Sequence, residues 1–180
     1  MPLTHSELVQ IAARWLANQG RCSVVLTECS SECWEQPDAI GWHGPVSTLI
    51  ECKTSLSDFK ADARKQFRIM PELGIGRQRY FMAPAGLLTG EDLPAKWGVL
   101  EVFCGRVVVA KKPETFSEIN GSGEIALLLS CLRRIGQQCP TGVSIKCYTI
   151  ESRKNRTTLG IEGEASDAVN PLIDLLPAVG

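Results

Sequence analysis

The chain has 180 residues, 44% hydrophobic and 22% charged, with a formal net charge of −1. That length and composition suit one folded domain whose core needs no disulfide or metal to hold it. The near-neutral charge argues against a strong, non-specific nucleic-acid coat protein but leaves room for a local basic groove.

Leu8, Ile11, Ala12, Trp15 and Leu16 recur at helical spacing, Thr4-His5-Ser6-Glu7 is a capping-box pattern ahead of them, and Gly20 ends the helix. The opening residues MPLTHSELVQ lack the basic flank and apolar core of a signal peptide, and no apolar run approaches the ~20 residues of a membrane span. The expected location is cytoplasmic, with no membrane partner. Residues 22–28 read as a β-branched strand and 29–36 as a polar loop. DAIGW (38–42) and VSTLIECK (46–53) read as two strands around the turn His43-Gly44-Pro45. A helix is predicted from Ser57 to Met70, with Ser57 as N-cap, Phe59, Ala63, Phe67 and Met70 as its apolar face, and Pro71 as its stop. A loop (71–77), a strand (79–84) and a second loop (85–97) follow. Residues 98–112 read as two strands joined at Cys104-Gly105. A polar linker (113–123) leads to a helix over 124–136, and 143–151 with 156–162 form a final hairpin around SRKN.

The predicted order is α-β-β-β-α-β-β-β-α-β-β, a mixed α/β sheet with a parallel pair across the 57–70 helix. Residues 1–112 make the core. Residues 113–180 make an accessory helix and hairpin packed on it.

Glu51 and Lys53 share one face of their strand, and Cys52 points the other way. Antiparallel pairing of 38–42 with 46–53 brings Asp38 close to Glu51. Two carboxylates held together repel unless a positive charge joins them. Lys53 supplies one such charge, and a divalent cation supplies it more fully. Mg²⁺ typically uses one or two carboxylates and completes its shell with water and phosphate oxygens. Such a site suits phosphodiester hydrolysis. The competing reading is a cross-strand salt-bridge ladder of little energetic consequence.

Pro37-Asp38 followed by Glu51-Cys52-Lys53, within α-β-β-β-α-β, resembles the PD-(D/E)XK nuclease superfamily. The run IECKTSLSDFKADARKQFR, then RYFMAPAGLL and WGVLEV, is similar to prophage and MmcB-type DNA-repair members. The resemblance spans about residues 5–110. It implies a restriction-endonuclease-like fold, a Mg²⁺ or Mn²⁺ cofactor, a DNA substrate and, from resolvase-like members, a homodimer. It implies Asp38 and Glu51 as metal ligands with the Cys52 carbonyl, and Lys53 as the catalytic lysine. Glu7 is either a further metal ligand or only part of the capping box. Gln66 matches a supporting glutamine of some members.

Lys60, Arg64, Lys65, Arg68 and Arg77, with Arg79 beyond, read as a basic edge for DNA phosphates; the alternative is a solvated face. Arg153-Lys154-Asn155-Arg156 reads as an exposed turn. Trp15 is expected to pack in the core; Trp34 and Trp42 flank Asp38 and are expected to pack, with stacking on bases as the alternative. The eight cysteines contain no CxxC pair and read as buried thiols, with a zinc site on Cys29 and Cys33 as the alternative. A further alternative keeps the nuclease fold without catalysis, as a DNA- or protein-binding module.

Overall fold

The capping box written in Thr4-His5-Ser6-Glu7 forms. Thr4 Oγ1 accepts from the Glu7 N–H at 3.3 Å, and the Glu7 carboxylate accepts from the Thr4 N–H at 2.8 Å. Both donors would otherwise be orphaned at a helix start. They fix the entry to α1, His5–Asn18. The computed structural model describes residues 3–31, 33–88, 93–136, 144–148 and 158–160.

The strands are β1 (Val24–Thr27), β2 (Ala39–His43), β3 (Val46–Cys52), β4 (Gln78–Pro84), β5 (Gly98–Phe103), β6 (Arg106–Lys111), β7 (Ser144–Tyr148) and β8 (Thr158–Gly160). They form one sheet in the order β6-β5-β4-β3-β2-β1-β7-β8. β3 and β4 pair in parallel across the intervening helices, as the sequence predicts, and β4 and β5 are parallel too. All other neighbours are antiparallel. The β5–β6 turn is the predicted Cys104-Gly105, with φ of 48° and 73°. Two left-handed residues give the turn whose twist matches the strands it joins.

Strand alternation splits the core in two. On one face, Leu8, Ala12 and Leu16 of α1 pack against Val25, Ala39, Ile50, Cys52, Tyr80 and Met82. On the other, Leu26, Ile40, Leu49, Phe81 and Ala83 meet Phe59, Ile75, Trp97, Phe116 and Leu127. Glu51 and Lys53 fall on this second face by parity with Leu49.

The predicted helix 57–70 is broken. It becomes α2 (Leu56–Asp62), α3 (Gln66–Ile69) and a 3₁₀ turn, Pro71–Leu73. The N-cap is Ser55, whose hydroxyl accepts from the Asp58 N–H, not Ser57. The break has a tertiary cause. In a continuous helix, Arg68 would point about 120° away from Asp62. With Lys65 extended at ψ 140°, Arg68 turns inward and its Nε donates to Asp62 Oδ2 at 2.6 Å. Of the predicted apolar face, only Phe59 is buried; Phe67 is half-buried, and Ala63 and Met70 are exposed.

The C-terminal helix α4, Gly121–Gly136, shares the second core face through Leu127 and Cys131. Its Glu124 binds three elements at once. Oε1 accepts from Ser47 Oγ at 2.6 Å and from the Gly76 N–H at 2.9 Å, and Oε2 accepts from Trp42 Nε1 at 3.1 Å. Glu124→Ala is therefore expected to destabilise the protein by roughly 2–3 kcal/mol, because the buried Ser47 and Gly76 donors and the half-buried Trp42 lose their acceptor. Urea denaturation of the variant measures this. β7 and β8 pair as the predicted final hairpin, on the outer side of β1. The turn carrying Arg153-Lys154-Asn155-Arg156 lies outside the described residues. No helix among the described residues is long and apolar enough to cross a membrane.

Candidate active site

The β2–β3 register pairs Ala39 with Ile50, which sets Asp38 beside Glu51 one step further on. Asp38 closes on the tripeptide it was expected to meet: its Oδ2 accepts from the Cys52 N–H at 2.7 Å. Its Oδ1 lies 3.4 Å from His5 Nε2, at the start of α1. Glu51 and Lys53 are only 2% and 4% exposed, so burial rather than solvent governs their charges.

Lys53 Nζ donates to Asp62 Oδ1 at 3.2 Å and to Glu51 Oε2 at 3.5 Å, and stands 4.0 Å from Asp58. Asp62 also receives Lys65 at 2.7 Å and the Arg68 Nε bond already described. Arg68 pairs in addition with Glu35, whose second oxygen accepts from the Ile75 N–H at 2.7 Å. The Arg68 guanidinium also lies over two aromatic rings, 4.7 Å from the centre of Phe67 and 4.4 Å from that of Trp97. One acceptor stays bare. Glu51 Oε1 is buried, receives no hydrogen bond from the described residues, and has Arg68 Nη2 at ion-pair range, 3.4 Å.

The charges follow from this geometry. Burial, reinforced by the Asp38 and Asp62 carboxylates, pushes the Glu51 carboxyl up to about 7, against the pull of Arg68 and Lys53. Burial alone would lower the Lys53 ammonium, but Glu51, Asp62, Asp58 and Asp38 outweigh it, and the net shift is upward. Burial likewise works against the Asp62 carboxylate, yet Arg68, Lys65 and Lys53 hold its pKa below the usual value.

Glu51 gives the metal-free protein a pH dependence. Its folded pKa lies above its unfolded value, so the folded state holds the extra proton between about pH 4.5 and 7. Stability is therefore expected to fall as pH rises through that window, by on the order of 3 kcal/mol. Asp62 acts oppositely, but only as pH falls below its ordinary range. Denaturation in EDTA at several pH values should show the decline, and Glu51→Gln should flatten it.

The basic residues divide. Lys60 and Arg64 are exposed, as a DNA contact requires. Lys65 is exposed but folded onto Asp62. Arg68 is buried and cannot serve as a surface phosphate contact, which corrects the sequence expectation. Arg79 is fully buried too, donating to the carbonyls of Pro71, Gly74 and Gly76 and stacking on Phe116 at 4.1 Å. Arg77 is half-buried, with its guanidinium on the carbonyls of Phe116 and Ser117. Glu7 is committed to Thr4 in the capping box, on the helix that covers the opposite sheet face. Gln66 opens α3 and lines a cavity with Trp34.

Sequence reasoning missed Glu35 and Asp62 as members of the cluster. For Asp62 a signal existed. Like charges at Asp58–Asp62 and Lys60–Arg64 are unfavourable on a free helix and point to outside partners. Glu35 sits in a stretch read as loop, and nothing local marks it.

Cys22, Cys29, Cys52 and Cys131 are buried, as small apolar thiols are. Cys33 is half-buried and Cys104 is exposed. Cys29 Sγ lies 2.6 Å from Cys131 Sγ, with the Arg134 guanidinium 3.6 Å away. Among the described residues, no three or more His, Cys, Asp or Glu side chains converge as a metal-binding group. A structural zinc ion takes four ligands, so the zinc alternative lacks its set there. Mg²⁺ is less demanding, needing one or two carboxylates and filling the rest with water. Asp38 and Glu51, the latter through its bare Oε1, fit that donor set.

No protein-family model and no curated protein matches this chain. Among solved structures it is similar to the SPO1766 protein of unknown function from Silicibacter pomeroyi, with a TM-score of 0.55 and 18% identity. The match covers 75% of this chain and 91% of that one. At that identity it speaks to the fold alone.

Proposed function

We propose that this chain is a metal-dependent deoxyribonuclease with a restriction-endonuclease-like fold. The observation that carries the reading is the buried Glu51–Lys53 pair beside Asp38, with one Glu51 oxygen that receives no hydrogen bond among the described residues. A buried carboxylate with an unused lone pair is costly unless a ligand completes it. Asp38, Glu51 and the Cys52 carbonyl would hold Mg²⁺ or Mn²⁺. When bound, the cation supplies a polarised phosphoryl oxygen and a water of lowered pKa.

The chain's own residues do the rest. The upward shift of Lys53 keeps it protonated near neutral pH. It therefore acts as a donor, orienting the attacking water or neutralising charge on the phosphate, and not as a general base. Asp62 and Glu51 hold its ammonium in place. Exposed Lys60 and Arg64 offer cations to the DNA backbone beside the site.

The test is cleavage of single-stranded, duplex, supercoiled, forked and four-way DNA with Mg²⁺ and with Mn²⁺. The wild type should cut at least one substrate, and both EDTA and Asp38→Asn should stop it. Cleavage that persists in EDTA would overturn the reading.

A second reading rests on the same cluster. Glu35, Glu51 and Asp62 are each paired with Lys53, Lys65 or Arg68. A network neutralised internally suits a nuclease fold retained as a non-catalytic binding module. That reading predicts DNA or protein binding unchanged by metal removal.

A further inference from the structure

We infer that the cavity beside the carboxylate cluster is a subsite for one unpaired nucleobase. The inference rests on the nuclease reading and narrows its substrate to DNA with single-stranded nucleotides next to the cut.

The cavity has a volume of about 290 Å³ and is lined by Trp34, Gln66, Phe67, Leu73 and Asn120. Trp34, for which the sequence favours packing over base stacking, is 85% exposed. Leaving a large indole in water forfeits the burial that usually holds such a residue, so an aromatic this open suits a stacking partner. Its position is not slack. The next residue, Glu35, is buried and tied to Arg68 and to the Ile75 N–H.

The remaining walls complete the pattern. Phe67 and Leu73 are apolar. Gln66 brings an exposed side-chain amide, and no hydrogen bond to it occurs among the described residues. The Asn120 amide is oriented by two bonds: Oδ1 accepts from the Gly123 N–H at 2.8 Å, and Nδ2 donates to the Leu73 carbonyl at 3.3 Å. An amide has two donors and two lone pairs, so each keeps capacity for a ligand. Aromatic faces with side-chain amides are the means by which proteins hold unstacked bases, the faces by stacking and the amides by reading edges. A base still paired in a duplex presents no free face and cannot enter.

Charge places the rest of the nucleotide. Lys65 Nζ lies 5.7 Å from the centre of the Phe67 ring and 4.0 Å from Glu51 Oε2. Phe67 is therefore the wall shared by the cavity and the cluster. A base on the cavity side of that wall carries its phosphate toward Lys65 and the exposed Arg64. Apolar walls flanked by cations match a nucleotide better than an apolar peptide, which would gain nothing from the cations.

The test is fluorescence anisotropy in EDTA, where no cutting occurs, with labelled single-stranded DNA, the same strand carrying abasic sites, and fully paired duplex. Trp34→Ala should weaken single-strand binding roughly 5- to 100-fold, the range expected for loss of base stacking. Trp34→Phe should recover most of it. Duplex and abasic-strand affinities should not change between these proteins. Equal single-strand affinity in wild type and Trp34→Ala would overturn the subsite, as would an equal loss on abasic DNA or capture of an aromatic peptide instead. Failure of the nuclease reading is visible separately: Trp34-dependent binding would persist while no metal supports cleavage.

Discussion

Lys53→Met should abolish most DNA cleavage, lowering the rate roughly 10²–10³-fold, the loss expected when a preorganised charge donor is removed from a transition state. Methionine keeps the length and apolar stem of the side chain and removes only the ammonium. Lys53 Nζ is the group that bridges Asp62 and Glu51, at 3.2 and 3.5 Å, on the face where β3 ends. Its upward pKa shift means that cleavage by wild type should show no fall on the alkaline side near neutral pH from loss of this proton. Metal binding should survive the substitution, since Lys53 is a cation and no ligand. Loss of Mn²⁺ binding together with cleavage would instead mean that Lys53 only holds the carboxylates in place. Comparison of single-turnover cleavage rates with Mn²⁺ affinity separates the two.

Arg68→Ala should cause the largest loss of stability, about 3–5 kcal/mol, the cost typical of removing one partner from a buried charge cluster. Arg68 meets Glu35, Asp62 and Glu51, and packs its guanidinium against Phe67 and Trp97. Its removal leaves three buried carboxylates short of a counter-charge. Arg68→Lys should restore little, because a point charge cannot span three carboxylates or stack on two rings. Urea denaturation measures both variants. If Arg68 were a DNA contact, as its place in a basic run suggests, stability would hold and only affinity would fall.

The contrast between these two residues shows what the sequence discloses. Glu51 and Lys53 share a face because strand parity is strict, and the short turn around Gly44 sets the register that brings Asp38 to them. The Thr4–Glu7 capping box and the Cys104-Gly105 turn are equally local, and both form where the residues predict. Arg68 is different. Whether a basic residue faces water or carboxylates depends on what packs above the sheet. Asp62 and Arg68 meet only because the chain breaks between α2 and α3, and no local signal demands that break. Arg79 and Glu124 follow the same pattern, with partners 3–8 and 48–82 residues away. Trp34 departs in the other direction: its composition suggests burial, and its place beside an open cavity leaves it exposed.

On the proposed function, Asp38 and Glu51 hold a divalent cation and are more than members of a salt-bridge network. Mn²⁺ titration followed by electron paramagnetic resonance tests it most directly, on folded wild type, Asp38→Asn and Glu51→Gln. The wild type should bind Mn²⁺, and either substitution should weaken binding by at least about tenfold, the effect of losing roughly 1.4 kcal/mol of ligand energy. Absence of Mn²⁺ binding by the wild type, or equal binding by wild type and both variants, would contradict a metal site and leave the cluster as a buried ion network.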